Sequence, residues 1–155
     1  MLNTETTILL ENPTQELELE TCSVLIYRRL SFMQVLWKAS ISPKEYRANI
    51  LQVLQIVKKL KIKYLLSDAH QLALVNNNEW FLEVCGPILT KSGIEKLARI
   101  VPYNPTSITQ SKKLLEVIEL RGQNKKPAFV FEAFTDLDDA FHWLEIKQPG
   151  FSGNY

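Results

Sequence analysis

Glycine is scarce, at five of 155 residues, which leaves little room for the Gly-rich loop that cradles phosphates in nucleotide-binding proteins. A Gly-x-Ser-x-Gly elbow, a His-Glu-x-x-His helix and a Cys-x-x-Cys pair are all missing. With them go the sequence signatures of the commonest hydrolases, zinc proteases and thiol oxidoreductases. Two cysteines, Cys22 and Cys85, are too few for a disulfide scaffold and suit a reducing compartment. Neither has an activating neighbour in sequence, so both read as small buried hydrophobes. No sign of charge dominates either. Eighteen basic against 17 acidic residues give a net charge of +1, with no long-range field to draw in nucleic acid or an acidic membrane. Long apolar runs are missing as well, and no window approaches the ~20 residues of a membrane span. The start of the chain has no basic stretch ahead of Ile8-Leu9-Leu10, so a cytoplasmic protein is expected.

What is present is ordinary globular composition, with 46% hydrophobic and 23% charged residues. The length suits one domain, taken as residues 1–147, followed by a turn-rich tail over 148–155. Glu16 to Glu20 alternates polar and apolar, and the alternation continues through Cys22, Val24 and Ile26. After a polar break at Arg28-Arg29 it resumes from Phe32 to Lys38, with Met33, Val35 and Trp37 on one face. Two such runs predict an antiparallel hairpin. Ser42-Pro43-Lys44-Glu45 is a helix start, with a capping serine, a proline at the first helical position and a glutamate that completes a capping box. Tyr46, Ile50, Val53, Val57 and Leu60 then form one apolar stripe. Tyr64 to Asp68 reads as a buried strand. Asn76-Asn77-Asn78 offers caps for a second helix that Pro87 kinks or ends, and Ser92-Gly93 turns into a strand over Lys96 to Val101. A third helix is expected from Asn104-Pro105 to Gly122, then a strand over Ala128 to Phe131. Thr135 with Asp138 is expected to cap a last helix. The order, a β-hairpin followed by alternating α and β elements, predicts an α/β domain with a mixed sheet and packed helices.

One group of polar residues lies where open α/β sheets place their ligand crevices, just past the carboxyl end of a central strand. Asp68 and His70 there could act as an acid–base pair or as part of a metal site. The plainer reading is an aspartate that caps local amides beside an exposed histidine. No further metal ligands stand at recognisable spacing, so neither a metal nor a cofactor is implied. The basic run Lys58 to Lys63 sits at a helix end that favours lysine in any case, and no nucleic-acid or membrane partner is expected. Trp80 follows a polar loop and is a candidate partner contact. His142, in the last helix, reads as surface.

The runs Val35-Leu36-Trp37-Lys38, Ser42 to Arg47 and Tyr64 to Asp68, with Glu79-Trp80, Pro87, Gly93 to Ala98 and Asp138 to Leu144, resemble the small bacterial SpoIIAA-like (STAS-like) domains over roughly residues 16–145. They are most similar to uncharacterised stand-alone members of Bacteroidetes type. The resemblance implies a STAS-like fold and a non-enzymatic regulatory or protein-interaction module. Typical STAS domains are switched by phosphorylation of a serine at the start of the helix that follows the central strand. This sequence departs from them: no serine or threonine lies between Asp68 and Leu89, so that switch cannot operate here. Glu79 stands close to the vacant position, where a fixed negative charge also suits a helix start. The expected binding surface therefore comprises Asp68, His70, Asn77, Asn78, Glu79 and Trp80, facing a protein partner or a second copy in a homodimer. The alternative is a small-ligand binder or an unfamiliar enzyme that uses Asp68 and His70.

Overall fold

The structure, a computed structural model, describes residues 12–71, 78–103 and 129–146 and six isolated positions between 106 and 116. It forms an α/β fold on a six-stranded mixed sheet whose strands lie side by side in chain order. The strands are β1 (Gln15–Glu18), β2 (Cys22–Tyr27), β3 (Phe32–Trp37), β4 (Tyr64–Asp68), β5 (Lys96–Ile100) and β6 (Val130–Phe134). The first three are antiparallel, and β3 through β6 are parallel.

The N-terminal unit differs from the expected hairpin. It is a three-stranded meander, because the run read as one strand folds back between Glu18 and Cys22, where the Leu19 amide donates to the Cys22 carbonyl at 2.8 Å. The sequence does mark this turn: the apolar positions are odd at Leu17 and Leu19 and even at Cys22, Val24 and Ile26, so the alternation slips by one residue at the consecutive polar pair Glu20-Thr21. The second turn, Arg28–Leu30, is a single 3₁₀ turn closed by Ser31 in the left-handed region at φ 52°.

Helix α1 (Pro43–Leu60) starts as its sequence predicts. Ser42 Oγ accepts the Glu45 amide at 3.1 Å, and the Glu45 carboxylate accepts the Ser42 amide at 2.8 Å, satisfying two otherwise free donors. Its stripe of Tyr46, Ile50, Val53 and Val57 is buried against Met33, Val35 and Trp37. A polar tie fixes the helix to the meander. Asn49, 5% exposed, accepts the backbone amide of Thr21 at 2.7 Å and the Thr21 hydroxyl, and donates to Gln52 at 2.6 Å.

Between β4 and β5 the chain is helical from Asn78 to Ser92, in three parts. Helix α2 (Asn78–Trp80) runs into a π turn (Phe81–Cys85) and then into α3 (Gly86–Ser92). Pro87 does not end the helix. The Gly86 amide donates five residues back to the Phe81 carbonyl, and this wider turn absorbs a proline that lacks an amide and would crowd the preceding turn. Gly93, at φ 88°, then closes α3, a conformation that costs glycine little.

Helix α4 (Leu137–Leu144) follows β6. Its cap is Asp136 rather than Thr135. The Asp136 carboxylate accepts the Asp138 amide at 2.8 Å, because Asp136 stands directly before the helix and its side-chain oxygen reaches the second amide beyond it. Strand β6 begins two residues later than expected, and Ala128 lies outside the described residues. The cap residues Asn76 and Asn77, most of the expected third helix and the 148–155 tail lie outside them too. The described positions between 106 and 116 are helical.

Two apolar cores lie on opposite faces of the sheet. The larger joins α1 and the 78–92 helix to Val24, Met33, Val35, Leu65 and Leu97. The smaller joins α4 to Tyr27, Phe32, Leu66, Ala98 and Ile100. Successive strand residues therefore serve different cores, as pleating requires. Lys96 helps to seat α4, donating to the Trp143 carbonyl at 2.8 Å with its ammonium 5.2 Å from the Trp143 ring centre.

Candidate functional site

Parallel pairing aligns the carboxyl ends of β3 through β6 on one rim, in the register Leu36, Asp68, Ile100 and Phe134. Asp68 is 4% exposed, the last residue of its strand. The next amide, that of Ala69, donates to the Ile100 carbonyl at 2.9 Å. This continues the ladder by one bond and swings His70 back over Asp68. One oxygen, Asp68 Oδ1, accepts both the His70 backbone amide at 3.2 Å and His70 Nδ1 at 2.5 Å. The aspartate thus caps a local amide, as the plainer reading has it, and it also orients the imidazole. A neutral imidazole that donates Nδ1–H to this carboxylate keeps Nε2 as its acceptor, and the His70 side chain is 53% exposed.

Trp80 and Glu79 lie in the first helical turn of the 78–92 segment, Glu79 exposed and Trp80 half-buried. The Arg47 guanidinium, projecting from α1, lies 5.5 Å from the Trp80 ring centre, a cation–π arrangement. The structure joins Asp68 to His70 and Trp80 to Arg47. Asn77 lies outside the described residues, and Asn78 is placed only by its helical backbone.

The cysteines offer no exposed thiol. Both are free and buried, and burial pushes Cys22 up to about 11 and Cys85 up to about 12. Among the described residues no group of three or more His, Cys, Asp or Glu side chains could hold a metal ion. No helix of the described residues is long and apolar enough to cross a membrane.

Two cavities lie away from Asp68 and His70. An open cleft of about 340 Å³ runs past the ends of β5 and β6, lined among others by Lys112, Glu132, Thr135 and Asp139, so its charges are mixed. The second is a recess of about 20 Å³ under α1 and the π turn, bordered by Tyr46, Ser67, Phe81, Arg99 and Phe131. Here the sequence reading missed a constellation. Ser67 and Arg99 are register partners on neighbouring parallel strands and face the larger core. Ser67 Oγ accepts the Trp37 indole N–H at 2.9 Å. Arg99 is half-buried, and among the described residues it has no acid in ion-pair distance. Tyr46 is 7% exposed, and its hydroxyl has no hydrogen-bond partner among the described residues. Burial pushes that hydroxyl above its ordinary range, and the positive charge of Arg99 opposes the shift. The signal was available in the sequence: Leu97-Ala98-Arg99-Ile100 puts a guanidinium on the same face as Leu97, in a strand covered on both sides.

Searches for a matching family model, a similar curated protein and a similar solved structure find no match for this chain.

Proposed function

We propose that this chain is a binding module of STAS-like plan that engages a protein partner, or a second copy of itself, through the carboxyl rim of its parallel strands. The observation that carries the reading is the Arg47–Trp80 pair. An indole held beside a guanidinium 5.5 Å from its ring centre presents the two residue types that most often anchor protein interfaces, already ordered before a partner arrives. Exposed Glu79 beside them supplies the negative charge that a phosphoserine supplies in typical STAS domains. The β-meander followed by alternating helices and parallel strands supports the STAS-like plan, and self-association through the outer strand β1 is its second arm.

The test is a capture experiment in the source cytosol with wild type and Trp80→Ala side by side. A species retained by wild type and lost by Trp80→Ala, with an unchanged circular dichroism spectrum, is the expected result. Retention that does not depend on Trp80 moves the surface elsewhere.

A second reading rests on the 2.5 Å contact between Asp68 and His70 Nδ1. A buried carboxylate that fixes an imidazole with Nε2 outward is the arrangement of a general base. On this reading the chain acts on a small molecule at the rim. A native mass spectrum at low salt separates the two: mass lost on denaturation favours the small molecule, and a bare chain or dimer favours the interaction module.

A further inference from the structure

The segments that enter the parallel strands are stitched together at the amino end of the sheet. The Ser31 carbonyl accepts the Lys63 and Tyr64 amides at 2.9 and 3.0 Å, and the Lys63 carbonyl accepts the Glu95 and Lys96 amides at 2.8 and 3.1 Å. These bonds bring separate stretches of sequence to one edge. Arg28 and Arg29 come from the 3₁₀ turn after β2. Lys58 and Lys59 end α1, Lys61 closes it at φ 55°, and Lys63 leads into β4. Lys91 comes from the last turn of α3. All of these cations are exposed. Glu95 lies 3.9 Å from Lys63, while Lys58, Lys59 and Lys61 have no acid in ion-pair distance among the described residues. The net charge of +1 therefore hides a segregated one. Salt screens exposed charges beyond roughly 10 Å at 0.1 M, so a partner at this end meets the local cations rather than the balance of the whole chain.

We propose that this edge binds a short acidic segment of a partner protein, laid in extended form across the ends of β2 to β5. Charge complementarity selects an anion. Three inter-strand spacings make about 14 Å, the length of roughly four extended residues. The partner's class follows from what stands between the cations. Leu30, Leu60 and Tyr64 are half-buried, so no exposed ring among them offers a platform for unpaired bases. For the same reason they present no exposed apolar face to a bilayer. A row of carboxylates needs neither. The edge lies at the opposite end of the strands from the Trp80 rim, and the proposal stands or falls without the reading above.

The experiment titrates the full chain at low salt with a peptide of about five glutamates, and separately with an oligouridylate of equal charge and with phosphatidylserine vesicles. The readout is the position and intensity of the backbone amide signals. The peptide is expected to shift the Ser31, Lys61 and Lys63 amides saturably, with an affinity that falls as sodium chloride is added. Arg28→Glu and Lys59→Glu should each weaken binding about fivefold, the upper end for one exposed ion pair. Both positions are exposed and lie on separate elements, so a loss in each marks one continuous surface. Lys44→Glu makes the same change of charge at the other end of α1 and should leave the affinity unchanged. A shift that stays linear, affinity unchanged in Arg28→Glu or Lys59→Glu, an equal loss in Lys44→Glu, or tighter binding of the oligouridylate or the vesicles than of the peptide would each overturn the proposal.

Discussion

Cys85 and Cys22 show how much the interior constrains a single side chain. Both are fully buried, and burial raises their thiols to about 12 and about 11. In the unfolded chain they return to the ordinary value of 9.0. Between that value and the raised ones the unfolded state loses a proton that the native state keeps, so stability falls as pH rises. Their stabilisation is fully present below pH 9 and is lost progressively through the raised values. Urea midpoints should therefore fall from about pH 9 upward, and Cys85→Ala should flatten part of that slope. A thiol reagent should label neither cysteine in native protein at pH 7 but both in urea. Asn49 makes a second residue-scale prediction. Asn49→Ala leaves the Thr21 amide buried without its 2.7 Å acceptor, a loss of about 1–3 kcal/mol, measurable by urea unfolding. The legible residues were those whose neighbours in sequence reveal their role, as Asp68 and His70 do. Tyr46, Ser67 and Arg99 come from three elements and meet only when β4 and β5 are in register. Of the three, only Arg99, a charge in an apolar strand, left a local trace.

Elements were legible where local chemistry sets their ends and obscure where it does not. The start of α1 carries its instructions within four residues, and the reciprocal bonds between Ser42 and Glu45 form as read. Ser42→Ala should cost about 1 kcal/mol, seen as a lower thermal midpoint with the native fold retained. The break between β1 and β2 carries no glycine, proline or asparagine, and its one local mark is a slip of the apolar alternation at Glu20-Thr21. Its turn is held instead by tertiary bonds, from Thr21 to Asn49 and from the Lys38 amide to the Thr21 carbonyl at 3.0 Å. Those partners lie in distant parts of the chain, beyond the reach of a local pattern. Pro87 gave the opposite lesson. Its local rule predicts an interruption, and the π turn is the form that interruption takes while Cys85 and Leu89 stay buried against the sheet.

Across the whole molecule, the strand order leaves β1 and β6 as the outer strands of the described sheet, and β1 is the edge that the proposed self-association would use. Its burial pattern is exposed apart from a half-buried Leu17, and Glu16 and Glu18 flank that leucine. If two copies pair antiparallel about Leu17, Glu16 of one stands opposite Glu18 of the other, and the twofold axis repeats the clash. Like charges directly opposite are destabilising, and charged residues are a common guard on sheet edges. Pairing through β1 should therefore strengthen with ionic strength, because salt screens exposed charges beyond roughly 10 Å at 0.1 M. Glu16→Lys should reverse the sign of both contacts, placing a lysine opposite Glu18 on each side of the axis. Sedimentation of this variant at low salt is expected to show more dimer than wild type, with the preference fading as salt is added. If Glu16→Lys sediments as wild type does at every salt concentration, β1 is not the contact, and self-association has to be sought at the Trp80 rim.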